Sequence, residues 1–247
     1  VLAAADQSMA FDCGFELLNE HQVFCPTLVV ISADKAQGKS ALMTALSRNF
    51  ASKGHPNVMF SLESSLHDIG LRYTSMDTGI PHSYVRDWRP PQFTDAHHER
   101  VMECQRIAGT RDIFVTGATR VLEPILLEIR RLRVVHKIQV ALIDYIQLMK
   151  VGAQRFDRDE LKHAHVAQEL NAAAVELGVC IVAFSQINKA GDLAYADSIE
   201  KSARVRIHFE RQKDPACEVH LHIQKNNEGK TTRTGSTGFV FHFDEVT

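Results

Sequence analysis

The sequence predicts an α/β fold with a mostly parallel sheet and helices on its faces. Short apolar runs rich in β-branched residues alternate with longer stretches whose apolar residues recur at helical spacing. The composition, 45% hydrophobic and 23% charged with a formal net charge of −2, is that of a globular chain able to bury a large core. A disordered chain is excluded, because the apolar content is too high and the net charge too low.

The alternation predicts strands and helices in a regular order. The apolar runs that predict strands lie at 28–32, 58–62, 113–116, 140–144 and 179–185. The helical patterns between them lie at 39–52, 64–74, 95–108, 122–136 and 157–177. In the last helix Val166, Leu170, Ala173 and Leu177 form one apolar stripe, which we expect to face the sheet.

The chain changes character after residue 185. No long helical pattern follows, and strand patterns separated by polar turns lie at 204–209, 217–224 and 238–243. These runs predict antiparallel hairpins that extend one edge of the sheet.

Cysteine use and hydropathy predict the compartment. The five cysteines are widely and irregularly spaced, without a C-x-x-C pair, so we expect a reduced, cytoplasmic setting. The longest apolar run, at 179–184, is far shorter than the roughly 18 residues that cross a bilayer. We therefore expect no membrane among the partners.

The strongest local signal is a loop with the pattern of a phosphate-binding loop. It lies between the strand at 28–32 and the helix at 39–52 and follows G-x-x-x-x-G-K-[ST], with alanine at the first glycine position. In such loops main-chain N–H groups surround phosphate oxygens, a lysine reaches the β- and γ-phosphates, and a hydroxyl binds Mg²⁺. The alternative, a chance G-K-S at a helix start, is disfavoured by the strand–loop–helix setting. The predicted nucleotide-binding residues are Ala33, Asp34, Lys35, Ala36, Gln37, Gly38, Lys39 and Ser40.

Polar residues end three of the predicted strands. Asp144 ends the strand at 140–144, and Glu63 and Gln186 directly follow two others. Ligands of open α/β sheets bind at the carboxyl ends of strands, and nucleotide hydrolysis needs one carboxylate near magnesium and another that positions water. Each acid alone could be a helix cap or a solvated strand end, and Gln186 could be ordinary loop polarity. Together with the phosphate loop they form a consistent site.

Four segments in order carry a family resemblance. They are the loop at 33–40, S-L-E at 61–63 with Arg72 nine residues after Glu63, I-D-Y-I-Q-L-M at 143–149, and F-S-Q-I-N at 184–188. With these phrases the chain resembles the RecA-like motor domain of the DnaB family of hexameric replicative helicases. The resemblance begins near 12–19, covers nearly the whole chain, and runs through 198–203 to 225–229.

The resemblance implies a RecA-like P-loop fold, ATP and Mg²⁺ as ligands, and a role for each strand-end residue. Lys39 and Ser40 bind phosphate and Mg²⁺, Glu63 polarises the attacking water, Asp144 belongs to the magnesium shell, and Gln186 senses the γ-phosphate.

Two further residues belong to the matching segments. We place Arg72 in the nucleotide-binding set, and the resemblance leaves the role of Gln147 open.

The family's single-stranded DNA loops correspond to 151–159 and 189–198 of this chain. The predicted DNA contacts are Arg155, Arg158 and Lys189. Because the net charge is close to zero, attraction to DNA must come from such local patches. The resemblance also implies a hexameric ring and leaves room for a primase or a helicase loader as a partner.

The sequence departs from the family pattern at two places. Alanine replaces the first glycine of the phosphate loop, which is a mild change because alanine is small. In the family, a K-x-R-x-G hairpin reaches the neighbouring subunit's nucleotide site, whereas this chain has Lys225 followed by Asn227 at the finger position. A finger of this kind is worth about 10³–10⁵-fold in hydrolysis. We hypothesise that Lys225 and Arg233 form the trans-acting pair, the alternative being that Arg233 is a solvated turn residue.

One domain over 1–247 accommodates these assignments. We divide it into an N-terminal segment at 1–26, a nucleotide-binding core at 27–186, and a region of DNA loops and C-terminal hairpins at 187–247.

Three functions are compatible with the sequence. The first is an ATP-driven ring helicase motor on single-stranded DNA in replication, in the cytoplasm of a bacterium or of a phage host. The second is a weakly or non-hydrolysing nucleotide-binding paralogue that co-assembles with replication proteins, which Asn227 keeps open. The third, a RecA-type recombinase, is disfavoured because the phrases at 143–149 and 184–188 match the helicase family better.

Overall fold

The strands of the chain form one continuous sheet. A computed structural model describes residues 10–90, 92–117, 119–152, 156–187, 199, 201–212, 218–232 and 239–242. Its strands are β1 Leu28–Asp34, β2 Asn57–Ser61, β3 Ile113–Thr116, β4 Val140–Asp144, β5 Cys180–Ile187, β6 Val205–Arg211, β7 Glu218–Asn226 and β8 Phe239–His242. Over these residues the strand order is β3-β2-β4-β5-β1-β6-β7-β8.

The sheet is parallel from β3 to β6 and antiparallel from β6 to β8. This confirms the predicted α/β class, with a mostly parallel sheet and antiparallel strands at its C-terminal end. β1 lies between β5 and β6, so the loop that follows β1 opens near the middle of the sheet. Strand order reverses at this point, which is where open α/β sheets bind ligands.

Helices cover both faces of the sheet. They are α1 Glu16–Glu20, α2 Lys39–Ser52, α3 Leu66–Thr78, α4 His82–Asp87, α5 Asp95–Ala108, α6 Leu122–His136 and α7 Asp159–Leu177, with a 3₁₀ turn at Ile146–Leu148. α3 runs four residues past the predicted end at 74 and stops at Gly79, whose φ of 66° is the left-handed conformation that favours glycine. α1 and α4 have no predicted counterpart.

Two apolar clusters lie on opposite faces of the sheet. On one face, residues such as Val30 and Ile143 pack against α6 and α7. On the other, residues such as Ile31 and Leu142 pack against α2 and the segment before β1. The alternation follows from the strand geometry, in which successive side chains point to opposite faces. Strands buried on both faces explain why the apolar runs in the sequence are continuous.

Some predicted positions lie outside the described residues. These are Arg155, Lys189, Arg233, the loop at 189–198, and the outer ends of the predicted strands at 217–224 and 238–243. In the described part of the chain, no helix is both long and apolar enough to cross a membrane. Cys13, Cys25, Cys104 and Cys180 are free thiols.

Candidate active site

The loop between β1 and α2 has a backbone shaped for an anion. Ala36 and Gly38 both have positive φ values, 62° and 101°. Gly38 immediately precedes α2, and in the described structure no side chain caps the first turn of this helix. The first N–H groups of a helix lack intrahelical acceptors and carry the positive end of the helix dipole. The start of α2 can therefore hold a phosphate group.

Lys39, the first residue of α2, folds back over the loop. Its Nζ donates to the main-chain oxygens of Ala33, at 3.2 Å, and Asp34, at 2.7 Å. Only 8% of the residue is exposed. Burial lowers the pKa of Lys39, and the carboxylates of Asp144, Glu63 and Asp34 oppose this shift. The ammonium group is thus buried among carboxylates at the place where the loop would bind phosphate.

Ser40 and Asp144 join the helix start to the end of β4. The Ser40 hydroxyl donates to Asp144 Oδ2 at 2.7 Å, while the buried Oδ1 has no hydrogen-bond partner among the described residues. Burial raises the pKa of Asp144, Glu63 adds to this, and the hydrogen bond from Ser40 opposes it. Mg²⁺ prefers hard oxygen ligands and usually takes only one or two from a protein beside a bound phosphate. The serine–carboxylate pair and its free oxygen fit such an ion.

Glu63 and Arg72 complete the rim of the site. A cavity of about 400 Å³ opens between the loop, the end of β2 and α3. Glu63 is solvent-exposed and close enough to influence the pKa of both Lys39 and Asp144. The Nε of Arg72 is buried and has no hydrogen-bond partner within the described structure, so this guanidinium can bind an anion in the cavity. The cavity is lined by Lys35, Ala36, Gly38, Lys39, Ser40, Ala41, Glu63, Ser64, Arg72 and Gln186.

Gln147 positions the main chain at Gln186. Its amide nitrogen donates to Ser185 Oγ at 2.8 Å and to the Gln186 oxygen at 3.0 Å. Its amide oxygen accepts from the Gln186 N–H at 3.2 Å. The role left open in the sequence is therefore structural in this chain. Gln147 ties the 3₁₀ turn after β4 to the end of β5, where Gln186 lines the cavity.

Four residues around the cavity differ from the expectation. Ala33, Asp34 and Gln37 are predicted to bind nucleotide but do not line the cavity. The main-chain oxygens of Ala33 and Asp34 accept from Lys39 Nζ, and the Gln37 side-chain oxygen accepts from the Arg211 N–H at the end of β6, at 3.0 Å. Ser64, which sequence reasoning missed, does line it, and the Ser61 hydroxyl donates to the Ser64 oxygen at 2.6 Å. The only signal for Ser64 was its place beside the S-L-E phrase.

Of the residues predicted to act outside this cavity, the structure describes Lys225 and Arg158. Lys225 lies on β7, where its Nζ donates to the Ala203 oxygen at 2.6 Å and the Lys201 oxygen at 3.4 Å. It does not line the cavity of its own chain. Asn227 is exposed beyond the end of β7, and Arg158 is exposed before α7.

Comparison with known proteins assigns the family. The model of the DnaB-like helicase C-terminal domain matches residues 12–243. The chain belongs to this family.

Curated relatives of this DnaB-family domain are longer proteins. It is 30% identical over 165 residues to the replicative DNA helicase DnaB of Helicobacter pylori (strain ATCC 700392 / 26695), an alignment that covers 66% of this chain and 33% of that protein. It is 26% identical over 246 residues to the replicative DNA helicase DnaB of Leifsonia xyli subsp. xyli, covering 89% of this chain and 52% of the relative. The domain therefore spans about a third to a half of the curated relatives it matches.

Two solved structures share the fold. One of them, an ATPase domain, has a TM-score of 0.79 at 18% identity, and the match covers 98% of this chain and 94% of that one. The structure of a DnaB-like replicative helicase and its interactions with primase has a TM-score of 0.81 at 19% identity, over 93% of this chain and 59% of that one. These likenesses establish the RecA-like P-loop fold of the DnaB-family domain.

Proposed function

We propose that the chain is the ATP-hydrolysing motor of a ring-shaped replicative helicase that moves on single-stranded DNA. The observation that carries the proposal is one cavity lined by a phosphate loop, a strand-end glutamate and a guanidinium whose buried Nε has no partner among the described residues, with Asp144 hydrogen-bonded to Ser40 in its lining. We also propose that 1–247 form one domain, with an N-terminal segment at 1–26, a nucleotide core at 27–186 and a DNA-loop and hairpin region at 187–247.

In the proposed reaction, residues of the chain bind the nucleotide, orient the attacking water and accept its proton. Lys39 would exchange the loop oxygens of Ala33 and Asp34 for phosphate oxygens, and Arg72 would neutralise further charge in the cavity. Glu63 would orient the attacking water and accept its proton. Ser40 and Asp144 would hold Mg²⁺, which neutralises charge on the phosphates when bound.

Gln186 would report the state of the γ-phosphate. Its main chain is fixed by Gln147, while the residue lines the cavity at the end of β5. The chain continues from β5 into the loop predicted to contact DNA. A change in the contacts of Gln186 would therefore act at the base of that loop.

In a ring, the β7 hairpin of one subunit would complete the nucleotide site of the adjacent subunit. Lys225 would reach the nucleotide bound to the adjacent subunit, together with Arg233. This assignment is supported by the position of Lys225 outside its own cavity and by the family's hexameric organisation. To reach a neighbour, the Lys225 ammonium would leave the main-chain oxygens of Ala203 and Lys201.

Single-stranded DNA is the proposed track, with Arg158, Arg155 and Lys189 as contacts. Exposure of Arg158 supports this role. Each chain would contribute few cations, so we expect tight binding only when a ring brings several sets together, and weaker binding at higher salt. Primase or a helicase loader is a proposed partner, on the basis of the DnaB-like relative solved in a study of its interactions with primase.

A second function is favoured by one residue. Asn227 occupies the expected finger position and is exposed, so the chain supplies no arginine there. Lysine is a point charge and does not reproduce the planar fork of arginine. The alternative is a paralogue that binds nucleotide, hydrolyses it weakly or not at all, and co-assembles with replication proteins.

An ATPase assay with and without poly(dT) separates the two functions. The motor requires ATP turnover that poly(dT) stimulates and that the Lys39→Ala variant lacks. Wild-type chain that binds ATP but does not turn it over, at saturating ATP and poly(dT) and in assembled form, would favour the paralogue instead. Failure to bind ATP at all would contradict both functions.

A further inference from the structure

A strip of main-chain contacts connects the start of α6 to the segment that follows the 3₁₀ turn. The Lys150 N–H donates to the Arg120 oxygen, and the Leu122 N–H donates to the Lys150 oxygen, both at 2.8 Å. Val121 and Lys150 thereby form a parallel β-bridge. Farther along, the Gly152 N–H donates to both carboxylate oxygens of Glu123 at 3.2 Å. Segments 120–123 and 150–152 are consequently held as one unit.

The side chain of Arg120 extends from this strip to the proposed active site. Its Nε donates to the main-chain oxygen of Leu62 at 3.1 Å. The N–H of Leu62 donates to the Asp144 main-chain oxygen at 2.8 Å, so the main chain of Leu62 is held at both ends. Leu62 directly precedes Glu63 in the chain. The direction in which the Glu63 backbone leaves β2 therefore depends on Arg120.

The other end of the strip leads toward the proposed DNA contacts. Val151 and Gly152 open the stretch 151–159, which contains the exposed Arg158 directly before α7. DNA bound at Arg158 would act on the 150–152 segment, and that segment, held to 120–123, would pass the displacement to Arg120.

We propose that Arg120 is a positioning residue that couples DNA contact on the 151–159 stretch to the aim of Glu63. The inference rests on the proposed function, because it requires both DNA binding and ATP turnover. Reaction rates depend strongly on the position of a catalytic group, since a misplacement of about 1 Å can lower the rate on the order of 10²-fold. In this view Arg120 touches neither nucleotide nor DNA, and its loss lowers turnover with DNA more than turnover without DNA.

The test compares the factor by which poly(dT) stimulates the ATPase rate of the full chain in wild type, Arg120→Ala and Arg120→Lys. We expect Arg120→Ala to reduce this factor about fivefold, which corresponds to one ordinary hydrogen bond. The KM for ATP and the Kd for poly(dT) should stay at wild-type values. Arg120→Lys, which keeps a donor and the charge, should recover part of the factor.

A variant at the other end of the strip tests whether the coupling runs through it. Glu123→Ala releases the Gly152 N–H and should also reduce the stimulation factor. The Arg120→Ala/Glu123→Ala double variant should be no worse than the more severe single variant, because two breaks in one connection are not additive. The matched control is Arg131→Ala, an exposed arginine on α6 whose partner is Glu128, at 2.7 Å. This control should keep the wild-type factor.

Distinct results would overturn the inference. An unchanged stimulation factor in Arg120→Ala would eliminate the coupling while leaving the proposed function intact. A weaker Kd for poly(dT) that accounts for the whole loss would make Arg120 a DNA contact instead. Equal losses of ATPase rate with and without poly(dT) in Arg120→Ala would give Arg120 a purely structural role. A wild-type ATPase that poly(dT) does not stimulate would overturn the proposed motor, and the inference with it.

Discussion

At the scale of single residues, the proposed site contains two charges that burial disfavours. Lys39 is 8% exposed and Asp144 1% exposed, and burial shifts the pKa of each toward its neutral form. Keeping these groups charged therefore costs free energy in a folded chain without ligand, and the proposed nucleotide and Mg²⁺ would supply counter-charges. Perturbed pKa values of this kind cluster at functional sites.

The Asp144→Asn variant should stabilise the chain and disable the site. Because burial raises the folded-state pKa of Asp144, the ionised carboxylate destabilises the fold at pH 7, and this cost disappears as pH falls through the raised pKa. Asparagine removes the charge but keeps an oxygen that can accept from Ser40. We expect a higher Tm without ligand at pH 7, a difference from wild type that shrinks toward acid pH, and Mg²⁺-dependent nucleotide binding weaker by more than about tenfold. A lower Tm at pH 7 would contradict this account.

Variants at Lys39 and Glu63 should separate nucleotide binding from ATP turnover. Lys39→Ala should abolish nucleotide binding, because it removes the lysine that would contact phosphate. Within the described structure, Lys35 is the one other cation on the loop side of the cavity that could replace this contact. Glu63→Gln keeps the shape of the side chain but loses the proton acceptor, so turnover should fall by about 10² or more while nucleotide affinity stays near wild type. Equilibrium binding of a fluorescent ATP analogue and steady-state ATPase rates measure the two effects. Retained turnover in Glu63→Gln would mean that another acid orients the water.

At the scale of elements, the sequence predicted the features that depend on residues close together in the chain. The phosphate loop and the strand ends were predicted because each motif lies in one continuous segment. α4 was missed because it has six residues, too few to form alone, and depends on packing of Val85 with Ile80, Phe93 and Val101. The contacts of Gln147 and Arg120 join segments far apart in sequence, so no local pattern indicates them.

The turn after β7 also depends on one side chain. Asn226 donates to the His21 oxygen at 2.6 Å and the Lys230 oxygen at 3.0 Å, and accepts from the N–H groups of Glu228 and Gly229 at 3.0 Å. A Cβ at Gly229 would collide with the His21 oxygen, so the turn approaches the N-terminal segment too closely for any other residue.

Asn226→Ala should therefore loosen the β7 turn from the N-terminal segment. The variant leaves several main-chain groups without their partner, and we expect a loss of about 1–3 kcal/mol in the free energy of unfolding. Asn227→Ala, one residue later at an exposed position, is the matched control and should stay within about 0.5 kcal/mol of wild type. Urea unfolding of both variants measures the difference. Equal stability of the two would show that the Asn226 contacts contribute nothing.

At the scale of the whole molecule, the proposed nucleotide cavity contains no finger residue, as far as the described residues extend. Lys225 does not line the cavity, and the described residues place Arg72 as the guanidinium that does. Phosphoryl transfer gains most from a cation delivered where charge develops, and in the proposed ring that cation would come from the adjacent subunit. A complete site would therefore exist only between two copies of the chain.

Mixing two inactive variants tests this arrangement. Lys39→Ala subunits keep the hairpin that carries Lys225 and Arg233 but lose the phosphate loop lysine, whereas Arg233→Ala subunits keep the loop and lose the proposed finger. Lys39→Ala alone should be inactive because it does not bind nucleotide, and Arg233→Ala alone should be nearly inactive because a missing finger costs about 10³–10⁵-fold. In mixtures, interfaces that combine an intact loop with an intact hairpin should restore ATPase activity, with a maximum at intermediate ratios. Arg233→Ala that is fully active alone would eliminate Arg233 as the finger, and two inactive variants that stay inactive when co-assembled would show that the site is not shared between subunits.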